Sequence, residues 1–269
     1  VSRDQSPPDG IDTGTPHVGR VYDYVLGGKN NYAADREYAD RIVAQMPDYP
    51  VLARANRSFL SRAVAFMAEA GVRQFLDLGA GIPTSPNVHE VARETHPDAR
   101  VVYVDNDPVV SVHNDVLLAT DRLLVSIRAD LGRPQDVLEH PDLLRLIDFD
   151  EPVGVLLLSV LQLFPGETPR EVVGPFLGRM AKGSLLAITH PSAEGDQEAV
   201  GRARAALAGG PVTVTLRRHA EILPFFGGLD LVEPGLVDVT TWRPRMPGRP
   251  TNMIVLGGVA RKGVARKPA

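Results

Sequence analysis

The sequence predicts an α/β fold built on a doubly wound, mainly parallel sheet, and three observations carry that expectation. Between residues 74 and 189 short apolar runs alternate with segments of helical character, the pattern of strand–helix units joined by right-handed crossovers. The runs are nearly continuous, as in Val153-Gly-Val-Leu-Leu-Leu158, which a strand buried on both faces requires. The chain of 269 residues has 43% hydrophobic and 23% charged side chains, an ordinary globular composition that suffices for one α/β domain.

In chain order, residues 1–14 are rich in Ser, Asp, Pro and Gly and are expected to form a disordered tail. Residues 15–71 form an expected N-terminal helical extension. Thr15 and Pro16 read as a helix cap and first position, with a helix over 17–26 stopped by Gly27 and Gly28. Asn30 or Asn31 is expected to cap a second helix over 33–46, ended by Pro47. A third helix runs over 51–70, with Phe59, Ala63, Phe66, Met67 and Ala70 in one stripe and Gly71 closing it. From 72 to 262 the sheet domain follows. Strands are expected at 74–78, 101–104, 123–128, 153–158 and 185–189, with helices at 86–95, 108–119, 135–146 and 169–180. After these come a helix near 193–207, an amphipathic piece at 219–226 and strands at 229–232 and 253–259, seven strands in all with the last antiparallel. Residues 263–269 read as a second tail.

The charge balance, 29 Lys+Arg against 33 Asp+Glu for a net −4, supplies no general attraction to nucleic acid or an anionic membrane. The absence of cysteine excludes disulfides, thiolate metal sites and cysteine nucleophiles. No apolar run approaches the roughly 18 residues of a membrane span, and residues 1–14 lack the apolar core of a signal peptide. The expectation is a cytoplasmic protein with neither nucleic-acid nor membrane partner.

Ligands of open α/β sheets bind beyond the carboxyl ends of the strands, so the residues after each strand outline a site. They are Asp77-Leu-Gly79-Ala80-Gly81-Ile-Pro83, Asp105-Asn106-Asp107, Ala129-Asp130-Leu131 and Ser159-Val-Leu-Gln162. Glycine at 79 and 81 lets the backbone turn and approach a ligand. Asp105, 26 residues after Gly79, stands where an acid binds ribose hydroxyls. Each feature alone has a plain structural explanation, a tight turn or a helix cap. Three at successive strand ends point to an adenosine ligand. Thr84 replaces the third glycine of a dinucleotide fingerprint, and Pro83 and Pro86 remove N–H donors. A pyrophosphate is poorly served there, whereas the sulfonium and ammonium of S-adenosylmethionine suit an acidic surround. An NAD(P)-dependent oxidoreductase and a non-catalytic binder of the same cofactor remain the competing readings.

The sequence also resembles the actinobacterial S-adenosylmethionine-dependent methyltransferases once grouped as the DUF574 family, from Thr15 to about Lys262. The resemblance is carried by Arg20-Val-Tyr-Asp-Tyr-Val-Leu-Gly-Gly-Lys-Asn-Asn31, Ala34-Asp-Arg36 and Ala53-Arg-Ala-Asn-Arg57. Further along it is carried by Phe75-Leu-Asp-Leu-Gly-Ala-Gly-Ile-Pro-Thr84, Pro86-Asn-Val-His-Glu90, Val102-Tyr-Val-Asp-Asn-Asp-Pro108, Phe225-Phe226, Leu231-Val-Glu-Pro-Gly-Leu236 and Trp242-Arg-Pro244. It implies a Rossmann-like class I methyltransferase. By resemblance Asp77 lies near the methionine end of the cofactor, Gly79, Ala80 and Gly81 line it, and Asp105, with Asn106 beside it, takes the ribose hydroxyls. Asp130 and Leu131 flank the adenine and Ser159 lies near the sulfonium. The chain departs from the family pattern at Asn30, where Asp is common, and at Gln162, where His is common, which leaves no histidine base at 162.

The acceptor is expected to be a small molecule, and nothing in the sequence names it. Because the leaving group is already cationic, positioning supplies much of the rate and a base is optional, so no catalytic residue is assigned. His190, Gln162, Trp242 and Arg243 are candidates for the acceptor side. His89, His96, His113, His140 and His219 lack metal-ligand spacing, and no metal is expected. The segment 20–31 reads as a lid, with Arg20, Tyr22, Tyr24, Gly28 and Asn31 as its candidate residues. Tyr22 and Tyr24, two apart on a helix, are expected on different sides, with Arg20 on the side of Tyr24.

Overall fold

The computed structural model describes residues 12–110, 121–246, 248–249 and 251–263. Most of the two expected tails and of the expected helix over 108–119 lie outside these residues. One mixed sheet organises the rest. Its strands are β1 (Gln74–Leu78), β2 (Arg100–Asp105), β3 (Leu124–Arg128), β4 (Gly154–Leu158), β5 (Leu185–Gly195), β6 (Asp230–Leu231), β7 (Val237–Asp238) and β8 (Met253–Arg261). The order is β3-β2-β1-β4-β5-β8-β6, with β7 also paired to β8. β1 to β5 are parallel, and β8 runs antiparallel to β5, β6 and β7. The strand order reverses between β1 and β4, which opens a crevice at their carboxyl ends.

The apolar runs are buried on both faces as their composition demands. Phe75, Val101, Tyr103, Leu156, Leu185 and Ala187 face one side. Their neighbours Leu76, Val102, Val104, Val155, Leu186 and Ile188 face the other. The long helix α3 (Tyr49–Glu69) lays Phe59, Ala63 and Met67 on the first face, and Gly71, at φ +95°, ends it. On the second face lies α7 (Thr168–Arg179), contributing Val172, Val173 and Phe176. The other helices before it are α1 (Val18–Val25), α2 (Ala33–Gln45), α4 (Val88–Arg93), α5 (Pro134–Leu138) and α6 (Pro141–Leu146). After it come α8 (Gln197–Leu207) and α9 (His219–Ile222).

Several boundaries differ from the sequence expectation, each for a local reason. His17, not Thr15, is the N-cap residue of α1, while the Thr15 carbonyl accepts from Arg20. Neither asparagine caps α2. The backbone N–H of Tyr32 donates to Asp35 Oδ2 at 2.8 Å, and the Asn31 side chain is turned to Asp23 and Gly28. The helix expected over 135–146 is broken at Pro141, which brings no N–H to the ladder. His140 caps the second piece by accepting from Asp142 N at 3.2 Å. β5 continues to Gly195 through an irregular stretch against β8, so α8 starts only at Gln197, capped by Asp196. The edge strand expected over 229–232 is shortened to β6, and beyond the turn at 232–235 a strand that was not expected, β7, also pairs with β8. This addition raises the strand count from seven to eight among the described residues.

α1 and α2 form a layer over the carboxyl ends of the sheet. Val21, Val25, Tyr38, Ala39 and Ile42 pack with Ala53 of α3 into a small core of their own. This layer and the sheet crevice enclose a cavity.

Candidate active site

The crevice holds a cavity of about 420 Å³. Its floor is built from strand ends. After β1 the chain turns through Gly79 and Gly81 at φ +73° and +65°, where a side chain would be strained. At Gly79 a Cβ would also come within 2.6 Å of Val160. Nothing lies within 4 Å of the corresponding point at Gly81, which leaves the loop surface open to a ligand. The N–H groups of Gly79 and Ala80 donate to Val104 O at 2.8 and 3.0 Å, and that of Gly81 to Asp105 Oδ2 at 2.8 Å. These three donors are spent inside the protein, so they do not form the anion cradle that a pyrophosphate uses.

Asp105 is fixed from two directions, since its Oδ1 accepts from Asp107 N at 2.9 Å. Burial raises its pKa, opposed by these backbone bonds. Asp77 is buried on the α3 side of β1, and burial pushes its carboxyl up to about 7. Arg57 opposes the shift and Asp105 adds to it. The Arg57 guanidinium is itself engaged by the carbonyls of Thr84 and Pro86. Asp107 lies behind Asp105, 2.8 Å from His17 Nδ1. Burial alone would raise Asp107, yet hydrogen bonds from His17 and Val109, with Arg20 nearby, hold it below the usual range. Asp130 ties its Oδ1 to Gly132 N at 2.8 Å beside buried Leu131.

Ser159, directly after β4, adopts φ +55°, a left-handed conformation that a non-glycine residue holds only under constraint. The constraint is visible. Ser159 N donates to Thr189 O at 3.2 Å, and its carbonyl accepts from Gln162 Nε2 at 2.7 Å. Thr189 Oγ1 donates to Asn56 Oδ1 at 2.7 Å, and Asn56 Nδ2 donates to the Tyr22 hydroxyl at 3.1 Å. This chain of bonds connects the end of β4 to the covering helix α1.

Asp77, Gly79, Ala80, Gly81, Asp105, Asn106, Asp130, Leu131, Ser159 and Gln162 all line the one cavity, and so does Tyr22. Other candidates stand elsewhere. His190 lies within β5 and is fully buried. Its Nδ1 donates to Pro191 O at 2.8 Å, and its Nε2 accepts from Arg217 at 3.0 Å. Burial, with Arg217 adding, lowers its pKa to about 4; with both ring nitrogens engaged by the protein and no place in the cavity lining, it packs within the sheet. Trp242 is fully buried against Phe59 and Phe66, at centroid distances of 5.2 and 6.0 Å. Arg243 stacks on Phe66 at 4.4 Å and donates to Glu233 O. Trp242 therefore belongs to the core on the α3 face and exposed Arg243 covers that side, and neither lines the cavity.

Of the lid candidates, Arg20, Tyr24, Gly28 and Asn31 support the segment rather than line the cavity. Arg20 is buried between Asp35 at 3.6 Å and Asp107 at 3.4 Å, not on the side of Tyr24. Tyr24 donates outward to Asp40. Asn31 and Gly28 close a turn on Asp23, whose carboxylate a Cβ at position 28 would meet at 2.0 Å. Sequence reasoning missed His17 and Val18 of the cavity wall, and it missed Asn56 and Arg57 as site residues although both lie in the block Ala53-Arg-Ala-Asn-Arg57. It also missed the extended segment Val212-Thr-Val-Thr-Leu216, whose strict alternation was the available signal.

A doubly wound sheet with a glycine turn after β1, acids at the ends of β1 and β2 and a crevice between β1 and β4 defines the class I methyltransferase architecture. The S-adenosyl methyltransferase family profile matches residues 4–263, and the chain belongs to this family of S-adenosylmethionine-dependent methyltransferases. It is 40% identical to a Thermobifida fusca protein described as a candidate methyltransferase, with a TM-score of 0.90 over 96% of this chain and 99% of that one. It is 41% identical to a DUF574 family protein from Streptomyces avermitilis, with a TM-score of 0.89 over 93% and 99%. The [4+2]-cyclase SpnF, 14% identical with a TM-score of 0.51 over 76% and 81%, shares the fold alone. No curated protein matches the sequence.

Proposed function

We propose that the cavity floor holds S-adenosylmethionine and that the protein transfers its methyl group to a small-molecule acceptor in a cytoplasmic setting. The observation that carries this reading is the pairing of a presented Asp105 carboxylate with a β1 loop whose N–H groups are already spent. Such a floor favours a hydroxyl-bearing ligand with cationic groups and disfavours a phosphate. In this reading Asp105, with Asn106 beside it, receives the ribose hydroxyls, Asp130 and Leu131 flank the adenine, and Asp77 faces the methionine ammonium. Gly79, Ala80 and Gly81 give the backbone close approach, and Ser159 stands near the sulfonium. Residues 15–71 serve as a cover, with Tyr22 and His17 on its inner surface.

When bound, the cofactor supplies a methyl group on a positively charged sulfur. The protein's residues then need to align the acceptor in line with that bond, work that positioning accomplishes without an obligatory base. Calorimetry with S-adenosylmethionine, S-adenosylhomocysteine and NAD tests the reading. The two adenosyl ligands bind and NAD does not, and Asp105→Ala weakens them by about 1–3 kcal/mol, the loss of hydrogen bonds to a charged group. Unchanged affinity in that variant removes Asp105 from the site.

A further inference from the structure

The cavity extends well beyond its acidic floor. Its opposite wall is formed by Ile42 of α2 and Met46 just after it, Leu52 of α3, Leu207 at the end of α8, and Val214 and Leu216 of the segment 212–216. In that segment Thr213 is exposed between the inward residues. The ionisable groups of the cavity, His17, Asp23, Arg57, Asp77, Asp105 and Asp130, come from α1, α3 and the strand ends. None of the six apolar wall residues is accompanied by a Lys, Arg, Asp or Glu lining residue from α2, α8 or 212–216. Tyrosines 22, 38 and 49 and Phe164 add aromatic surface to the same space.

Besides the tyrosine hydroxyls, Gln162 brings a polar group to this wall. Gln162 Oε1 is buried and has no hydrogen-bond partner among the described residues, while its Nε2 is held by Ser159 O. The turn that carries Gln162 is rigidly placed. Its carbonyl accepts from Thr215 N at 2.8 Å, and buried Arg217 donates to Leu161 O, Phe164 O and Gly166 O. A fixed amide oxygen left unpaired in an apolar chamber is a place for a ligand's donor.

We propose that this wall is the acceptor subsite, and that the acceptor is an uncharged apolar ring compound bearing a hydroxyl or amino group whose hydrogen is bonded to Gln162 Oε1. The proposal rests on the cofactor reading above. Gln162 holds the O–H or N–H so that the lone pair on that atom points toward the methyl carbon. The new bond to carbon forms as the carbon–sulfur pair returns to sulfur, which becomes a neutral thioether, and the proton leaves to water.

The test is calorimetry on the full chain saturated with S-adenosylhomocysteine, with 1-naphthol, 1-naphthylamine, 1-methylnaphthalene and 1-naphthoate as probes. The naphthol and the amine bind about tenfold more tightly than either the donor-free hydrocarbon or the carboxylate. At saturating S-adenosylhomocysteine, Gln162→Leu removes the preference of naphthol over methylnaphthalene, and Leu207→Asp removes ring binding with S-adenosylhomocysteine affinity retained. Naphthoate binding as well as naphthol, or an undiminished preference in Gln162→Leu, overturns the proposal and leaves the cofactor reading intact. Failure of the wild type to bind S-adenosylhomocysteine takes down both.

Discussion

Asp77 shows how much one burial decision controls. In the chain it reads as the acid that opens a glycine turn, but its carboxyl lies under α3, where loss of water raises its pKa from 3.8 to about 7. An acid raised in the folded state contributes stability that is full below the unfolded value and lost as pH climbs through the folded one. Thermal denaturation should therefore show the wild type losing stability relative to Asp77→Asn as pH rises from 4 to 7. Binding of a ligand ammonium favours the carboxylate, so S-adenosylhomocysteine affinity rises between pH 6 and 8 and becomes flat in Asp77→Asn. A wild-type affinity independent of pH places Asp77 away from the methionine end. His190 teaches the opposite lesson. Its position at the carboxyl end of a strand was legible, but the continuation of β5 past it and the arrival of Arg217 from 27 residues away were not.

At the scale of elements, the segment from α1 to the start of α2 is knitted together by buried polar groups. Arg20 joins Asp35 and Asp107, and the Asp23 carboxylate accepts from Asn30 N and Asn31 Nδ2. These contacts bind the segment to the β2 loop and to itself, so cofactor binding beneath it should tighten the whole unit. Limited trypsin digestion checks this: S-adenosylmethionine slows cleavage at Arg20, Lys29 and Arg36. Gly28→Ala, which drives a methyl group into the Asp23 carboxylate, speeds cleavage and weakens cofactor affinity. Equal rates with and without ligand reduce the segment to a fixed scaffold. The sequence announced this helix and its glycine end, since those depend on neighbouring residues. It could not announce that Arg20 turns inward, because both carboxylate partners are brought up by other elements.

For the molecule as a whole, the packed faces of the sheet carry structural weight, while the carboxyl ends of its strands line the cavity. Trp242 belongs to the first. Its indole fills the space between Phe59 and Phe66 on the α3 face, fully buried. Trp242→Ala should cost about 3–5 kcal/mol of folding stability and leave S-adenosylhomocysteine affinity unchanged in the folded protein, a combination that denaturant titration and calorimetry read separately. The sequence by itself determined the strand–helix alternation, the parallel core of the sheet and the acids at three successive strand ends. These follow from periodicity and from the rule that parallel strands present their carboxyl ends together. The tertiary structure alone decided which side chains meet across long separations. It drew Asn56 to Thr189, set His17 against Asp107, buried Trp242 and closed the apolar wall from α2, α8 and 212–216. Local pattern sets which way a residue faces along its own element, whereas a cavity is the space left between elements, and its walls exist only once those elements have packed.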